Sequence, residues 1–395
     1  MDQQKNRLRI GVIGVGNIGY VHASCIFQGH VKGAILGAVC DQKAHLAQEF
    51  ADCFPGVPFY TDYHQLLQDP GIDAVIVSVP HPSHSDIAIA AFRAGKHVLV
   101  EKPMDITLSK AKALCAVAKE SGKLFGIMFN QRTGNLFAKA RQIVTSGQLG
   151  QLKRSVWIIT NWYRTQHYYD SGTWRATWTG EGGGVLVNQA PHQLDLWQWI
   201  CGMPEQITAF CSEAKYHQIE VEDDATIFAR FPGGAEGVFI TTTGEYPGTN
   251  RLEISGSKGK LVLENGKLKW WCLQDDEREF CFTSDASFAH IPMDYQEIQE
   301  EAEKHGHQKI LQNFTNAILH GETLLAPGYD GINELTIQNA AYFSAWKGNM
   351  PISIPFDEKE YDALLKQKQH HSTVGSGAAQ DAKRTEYSER WQINW

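Results

Sequence analysis

Apolar runs alternate with helix-compatible segments from residue 8 to about residue 130. The apolar runs show little polar alternation, as expected for strands that are covered on both faces of a parallel sheet. They lie at residues 8–13, 34–40, 74–80, 97–100 and 123–129. The helices between them are predicted at 44–51, 64–67, 83–94 and 110–120. This order predicts a doubly wound, right-handed parallel sheet with its ligands at the carboxyl ends of the strands.

The pattern changes after residue 135. A helix at 136–146 is followed mainly by strands, with one further helix at 191–201. The strands are predicted at 153–162, 206–214, 224–231, 235–245, 251–255, 260–264 and 267–272. Short glycine-containing turns join several of them as hairpins, so we expect an open-faced, mainly antiparallel sheet. Two helices, at 295–319 and 331–346, are predicted to close this part, with Gly321 and Gly348 as stops.

A chain of 395 residues exceeds one ordinary hydrophobic core. We predict an α/β domain over residues 1–132, an α+β domain over 133–368 and a polar arm over 369–395. The arm is rich in small polar residues but carries aromatic residues near its end, among them Trp391 and Trp395. It is either a disordered end or an arm whose aromatic tip docks on a neighbouring subunit.

Composition narrows the class of protein. A formal charge of −8 gives no basic surface for nucleic acid, and no apolar run is long enough to span a bilayer. Residues 1–5 show no signal-peptide pattern. The eight cysteines form no CxxC motif and no Cys/His cluster with metal spacing, so we expect reduced thiols, a cytoplasmic protein and no bound metal.

Three glycines spaced GxGxxG follow the first strand and precede a helix. Gly14 permits the tight turn, Gly16 lets a phosphate approach the backbone, and Gly19 lets the helix pack on the strand. Asp41 ends the second strand, where a carboxylate binds the ribose hydroxyls and repels a 2′-phosphate, so NAD is favoured over NADP. Lys43 weakens this preference. The alternative is a glycine loop of another α/β sheet, with Asp41 in a surface turn.

Lys102 follows the strand at 97–100 and lies between Glu101 and Pro103. An ammonium group at the end of a buried strand can donate a hydrogen bond to a substrate oxygen and stabilise a developing alkoxide. The alternative is a surface lysine paired with Glu101.

A glycine triplet at 182–184 precedes Asn188, His192 and Asp195. The three side chains share one face if the segment is helical, although Pro191 suits a first-turn position, with Asn188 in the turn before it. His192 is suited to accept a proton near neutral pH, and Asp195 is interpreted as a structural carboxylate. A lone histidine is, however, more often structural.

An aromatic and polar run also suits sugar binding, since rings stack on CH faces while polar groups bond hydroxyls. It contains Trp162-Tyr163-Arg164, His167-Tyr168-Tyr169 and Trp174-Arg175. A loop that packs on the core explains the same pattern. The predicted substrate-binding residues are Lys102, Trp162, Arg164, Tyr168, Asn188 and His192.

Together these motifs resemble those of the glucose–fructose oxidoreductase/inositol dehydrogenase (Gfo/Idh/MocA) family. The matching segments are GVGNIG at 14–19, SVPHPSH at 78–84, EKP at 101–103 and the glycine triplet through His192 and Asp195. The resemblance implies a Rossmann domain, an open antiparallel sheet used for oligomerisation, and Lys102 with His192 as the catalytic pair. The expected NAD-binding residues are Gly14, Gly16, Asn17, Ile18, Asp41, Ser78, Pro80, His84, Glu101, Lys102, Asn130, Trp174 and Arg175.

The chain departs from the family at Asn188, where many members carry an aspartate four residues before the histidine. An amide cannot stabilise an imidazolium as a carboxylate does, but it can bond a substrate hydroxyl. We therefore expect hydride transfer between NAD and a secondary alcohol of a sugar, glycoside or polyol, in a homodimer or homotetramer. The alternatives are an NAD-using glycosidase with transient oxidation and a non-catalytic NAD-binding sensor.

Overall fold

The computed structural model describes residues 7–172, 174–301 and 306–372. Of the predicted C-terminal arm, residues 373–395 lie outside these ranges, so its two interpretations stay open. None of the helices in the described ranges has the length and apolar character that a membrane crossing needs.

The first sheet confirms the predicted parallel Rossmann architecture. Its strands are β1 Leu8–Ile13, β2 Ala34–Cys40, β3 Phe59–Tyr60, β4 Ala74–Val77, β5 His97–Val100 and β6 Phe125–Ile127. All pair in parallel, in the order β3-β2-β1-β4-β5-β6. The helices around it are α1 Asn17–Phe27, α2 Ala47–Cys53, α3 Tyr63–Gln68, α4 His84–Arg93 and α5 Leu108–Ser121. All four residues of β4 are fully buried, which explains its unbroken apolar sequence.

The second sheet has nine strands within the described residues. The strands are β7 Leu152–Ile159, β8 Gln206–Glu213, β9 Glu222–Arg230, β10 Glu236–Thr242, β11 Asn250–Gly256, β12 Gly259–Glu264, β13 Lys267–Leu273, β14 Met293–Gln299 and β15 Ile352–Ser353. They lie in the order β14-β13-β12-β11-β7-β10-β9-β8-β15. The pairing is antiparallel except between β7 and β10, which confirms the predicted mainly antiparallel sheet.

Eight further helices lie in the described part of the chain after residue 134. They are α6 Asn135–Thr145, α7 Gln166–Asp170, α8 Val185–Asn188, α9 Pro191–Cys201, α10 Glu277–Thr283, α11 Gly306–His320, α12 Gly331–Trp346 and α13 Glu358–His370. Helices α9 and α12 have the predicted bounds. Gly321 and Gly348 follow α11 and α12 with φ of 73° and 74°, a left-handed conformation that favours glycine.

The predicted helix at 295–319 is wrong over its first part. Residues Met293–Gln299 form β14, which pairs with β13, and the described helix begins at Gly306. Tyr295 packs against Trp271 with ring centroids 5.3 Å apart, and Lys267 Nζ lies 2.8 Å from Glu297 Oε1. These cross-strand pairs favour the strand over the helical tendency of a Gln- and Glu-rich segment.

Two hydrophobic clusters underlie the two sheets. The first also contains Ile310, Leu311 and Phe314 of α11, so the chain returns to the first sheet after completing the second. Sequence periodicity could not show which sheet this helix covers. The domain boundaries at residues 132 and 368 therefore stay predictions.

Candidate active site

The glycine loop between β1 and α1 has the close packing that the sequence predicts. Gly14 has φ of +86°, and a Cβ there would lie 2.6 Å from the Ser78 carbonyl oxygen. A Cβ on Gly19 would lie 1.9 Å from the Gly14 oxygen, whereas one on Gly16 would meet nothing within 4 Å. Ser78 Oγ fixes the turn by donating to Gly14 O at 2.7 Å. The loop is thus rigid at both ends and open at its centre.

These residues fit an NAD molecule. Asn17 and Ile18 begin α1, where the first backbone N–H groups have no intrahelical acceptor and can bind a pyrophosphate. Asp41 follows β2; its Oδ2 accepts from Val15 N at 3.1 Å and its Oδ1 from Lys43 N at 3.0 Å. The carboxylate is therefore fixed at the strand end, where a ribose would lie.

A buried polar cluster supports the turn that carries Lys102. His22 Nε2 donates to Glu101 Oε1 at 2.7 Å, and the His22 and His307 rings lie 5.7 Å apart. Asn130 Nδ2 lies 3.2 Å from His307 Nδ1. The hydrogen bond from His22 and its charge lower the pKa of Glu101 against the opposing effect of burial. Glu101 is thus an ionised support below Lys102.

Four more of the expected NAD-binding residues follow, namely His84, Pro80, Trp174 and Arg175, the last of which packs on Trp174. His84 is fully buried, with Nδ1 2.7 Å from Pro103 O and Nε2 2.8 Å from Val79 O, so its ring nitrogens are engaged by backbone. Pro80 is exposed just after β4. The Trp174 ring stands edge-on to His81 at 5.9 Å, and the Arg175 guanidinium lies 4.9 Å from the Trp174 ring.

Lys102 and Asn188 meet directly, although Lys102 follows strand β5 of the first sheet and Asn188 ends helix α8. Lys102 Nζ donates to the Asn188 backbone oxygen at 2.7 Å. The Asn188 side-chain amide in turn donates to Glu181 Oε1. Burial lowers the pKa of Lys102, while Glu101, Glu334 and Glu181 act in the opposite direction. An ammonium group so surrounded retains two N–H donors for a ligand.

His192 is the second residue of α9 and is 5% exposed. Its Nδ1 is buried without a hydrogen-bond partner among the residues that the structure describes. Burial, then the charges of Lys102 and His307, lower its pKa well below the usual value. The imidazole is therefore neutral and able to accept a proton, as a general base requires.

Asp195 holds the helix that carries His192. Arg132 donates two hydrogen bonds to Asp195, from Nε to Oδ2 at 2.8 Å and from Nη2 to Oδ1 at 2.6 Å. Arg132 Nη1 also donates to Asp330 Oδ2 at 2.6 Å. Both Arg132 and Asp195 are buried. The carboxylate is thus structural and joins α9 to the end of the first sheet.

The aromatic run divides into a core part and a part near the site. Trp162 is 1% exposed within the second hydrophobic cluster, which favours the packing interpretation for this residue. Tyr168 is half-buried; the guanidinium groups of Arg164 and Arg175 lie 5.1 and 4.7 Å from its ring. Its hydroxyl accepts from Arg175 Nη1 at 2.8 Å and Gln189 Nε2 at 3.4 Å. Tyr168 thus lies next to the segment that carries Asn188.

Several residues of this site have little or no signal in the sequence that would have identified them. Glu181 has a weak signal, since it is a charged residue directly before the glycine triplet, and Arg132 lies at a predicted strand end. His22, His307 and Glu334 have none. Glu334 is fully buried, and neither of its oxygens finds a hydrogen-bond partner within the described ranges. Burial and Asp195 raise its pKa well above the usual value, while Lys102 opposes that rise.

His307 makes a pH-dependent contribution to stability. Burial, then His22, lowers its pKa from 6.5 to about 3. As pH falls below 6.5, the histidine binds a proton in the unfolded chain but not in the folded one, so the free energy of unfolding decreases. Allowing for its partial exposure, we expect wild type to lose about 1–2 kcal/mol more than His307→Gln between about pH 7 and pH 5. Denaturant unfolding at both pH values measures this, and equal losses would contradict it.

The chain matches two family profiles over most of its described length. Residues 8–129 match the profile described as an oxidoreductase family with an NAD-binding Rossmann fold. Residues 137–262 match the GFO/IDH/MocA C-terminal domain.

Named relatives cover most of the chain. It is 26% identical over 357 residues to scyllo-inositol 2-dehydrogenase (NAD(+)) of Bacillus subtilis, covering 89% of this chain and 97% of that protein. It is 30% identical over 275 residues to myo-inositol 2-dehydrogenase of Thermotoga maritima, covering 68% and 79%. The WlbA dehydrogenase of Bordetella pertussis, solved with NADH and UDP-GlcNAcA, has a similar fold with a TM-score of 0.74 and 25% identity, covering 89% and 100%.

Proposed function

Because this chain belongs to the GFO/IDH/MocA family of NAD-binding oxidoreductases, we propose that it oxidises a secondary alcohol of a sugar, glycoside or polyol. In this proposal His192 is the general base, Lys102 stabilises the alkoxide, and Asn188 binds a substrate hydroxyl.

The contact between Lys102 and Asn188 is the main support for this proposal. Lys102 follows β5 of the first sheet, and Asn188 ends α8, four residues before His192. The 2.7 Å hydrogen bond from Lys102 Nζ to the Asn188 oxygen brings the ammonium group beside the segment that bears the imidazole. The effect of Lys102 on the pKa of His192 also supports their proximity.

NAD, when bound, supplies the acceptor for the hydride of the carbinol carbon. The residues that would hold it are the loop at 14–18, Asp41 at the ribose, and the turn at Glu101 and Lys102, with Ser78, Pro80, His84, Asn130, Trp174 and Arg175 around it. The open space at Gly16 and the fixed carboxylate of Asp41 support this assignment.

Side chains of the protein would accept the substrate's hydroxyl proton and stabilise the negative charge on its oxygen. His192 Nε2 would take the hydroxyl proton, because Nδ1 is fully buried. The remaining N–H groups of Lys102 would donate to the substrate oxygen and stabilise the negative charge that develops there. Arg164 and Tyr168 would flank the far side of the substrate. Such positioning is worth effective molarities of about 10⁵ M or more for well-oriented groups.

The substrate class is supported by the named relatives, two of which are inositol dehydrogenases. The test is a panel of inositols, sugars and glycosides, assayed for NADH formation with NADP in parallel. We expect turnover with at least one cyclic polyol or sugar, and preference for NAD because of Asp41. Absence of turnover across the panel would favour a non-catalytic sensor, and glycoside cleavage without net NADH release would favour a glycosidase.

The predicted homodimer or homotetramer through the second sheet, and the predicted cytoplasmic location, stay predictions.

A further inference from the structure

The hydrogen bonds around Glu181 fix the orientation of the Asn188 side chain. Glu181 is 2% exposed, and both its oxygens face N–H donors. Oε1 accepts from Asn188 Nδ2, and Oε2 accepts from the backbone N–H of Ala176 at 2.6 Å. Since a protonated carboxyl group would need an acceptor for its own hydrogen, this arrangement suits the carboxylate alone.

A carboxylate cannot donate, so it determines which end of the amide faces it. Asn188 must turn Nδ2 towards Glu181, which leaves Oδ1 on the other branch of the amide. Oδ1 accepts no hydrogen bond from the described residues, and Asn188 is half-buried. Its backbone oxygen is already bound to Lys102 Nζ. The side chain therefore presents Oδ1 to a ligand as an acceptor, while one N–H of its amide is held by Glu181.

We propose that Glu181 is a positioning residue that holds Asn188 as a fixed hydrogen-bond acceptor, so that the site selects substrates presenting a hydroxyl donor beside the reacting carbon. This inference rests on the proposed function. It also places a negative charge at position 181, beside an uncharged side chain at position 188.

The charges around Glu181 support this division. Burial raises the pKa of Glu181, whereas Arg175, the hydrogen bonds from Ala176 and Asn188, and Lys102 act in the opposite direction. His81 Nδ1 lies 3.3 Å from the Glu181 backbone oxygen. No carboxylate is among the groups that shift the pKa of His192. Glu181 thus balances the cations of the site while His192 remains neutral.

Glu181→Gln tests the orientation. The introduced amide still accepts from Ala176 N–H with its oxygen, but its NH₂ group now faces Asn188. The Asn188 amide must then reverse, so that a donor faces the substrate in place of the acceptor. We expect KM for the best substrate to rise about tenfold, the cost of one hydrogen bond, with kcat changed less than about threefold.

Glu220→Gln is the matched control. Glu220 also accepts from a backbone N–H of this loop, that of Trp178 at 3.4 Å, but it makes no described contact with Asn188. We expect its KM to stay within about twofold of wild type, as for substitutions outside the interaction network. An equal rise in KM for both variants would show that loop structure alone is involved.

Exchanging the carboxylate at position 181 and the amide at position 188 gives the sharper test. Asn188→Asp alone places a second carboxylate against the buried Glu181; the two repel, which should lower Tm and raise KM. Glu181→Gln with Asn188→Asp restores a carboxylate–amide pair, in which the new carboxylate accepts from the new amide and keeps an oxygen for the substrate. We expect the double variant to recover the Tm lost in Asn188→Asp and to return KM to within about threefold of wild type.

The two readouts separate this inference from the proposed function. The Tm comparison needs no substrate, so it tests the pairing even if no sugar is oxidised. If wild type oxidises a polyol but KM is unchanged in Glu181→Gln, or the exchange gives no recovery of KM, the positioning role is overturned while the proposed function stands.

Discussion

Replacing His192 by alanine should lower kcat by about 10²-fold or more, the loss that follows removal of a general base. The imidazole makes no hydrogen bond to a described residue that the substitution would leave unpaired, and its lowered pKa keeps it in the proton-accepting form. Because the proton moves only in the transition state, kcat and kcat/KM should fall together. Steady-state kinetics with the best substrate of the panel measures both.

His320→Ala is the control, since His320 is an exposed histidine at the end of α11. It should leave kcat unchanged, and NADH binding should be similar in both variants and wild type. A His192→Ala enzyme with near-normal turnover would refute the general-base role.

Arg132→Met should have the largest effect on stability, about 3–5 kcal/mol, because it leaves the buried Asp195 carboxylate without its partner. The contact with Asp330 is also lost, and the Asp195 pKa, already raised by burial, loses the guanidinium that opposes the rise. The change acts on the attachment of α9, three residues beyond His192. Denaturant unfolding measures the loss of stability.

Two further variants test whether that loss of stability comes from the unpaired buried charge. Arg132→Met with Asp195→Leu removes both buried charges and should be more stable than Arg132→Met alone. Lys110→Met breaks the exposed pair with Asp86, at 3.0 Å, and should cost less than about 1 kcal/mol. Equal losses for Arg132→Met and Lys110→Met would contradict a structural role for the buried pair.

Most secondary-structure elements could be predicted because local signals agree with the tertiary environment. The strands of the first sheet are buried on both faces, so their apolar runs are unbroken, and helices α9 and α12 begin and end where the sequence predicts. The misassigned segment is β14, which is mostly exposed and whose only partner strand among the described residues is β13. An exposed strand that pairs with a single neighbouring strand shows little alternation of apolar and polar residues in its sequence.

The sequence by itself determined the class of site: a glycine loop for a pyrophosphate, a carboxylate for a ribose, and a lysine and a histidine of suitable chemistry. Those properties follow from backbone freedom, strand ends and the acid–base character of single side chains, all of which are local. Only the tertiary structure decided which polar groups meet. Glu181 faces Asn188, Arg132 grips Asp195 and Glu334 is buried near Lys102, because burial and hydrogen-bond pairing depend on the packing of distant segments, which spacing along the chain does not encode.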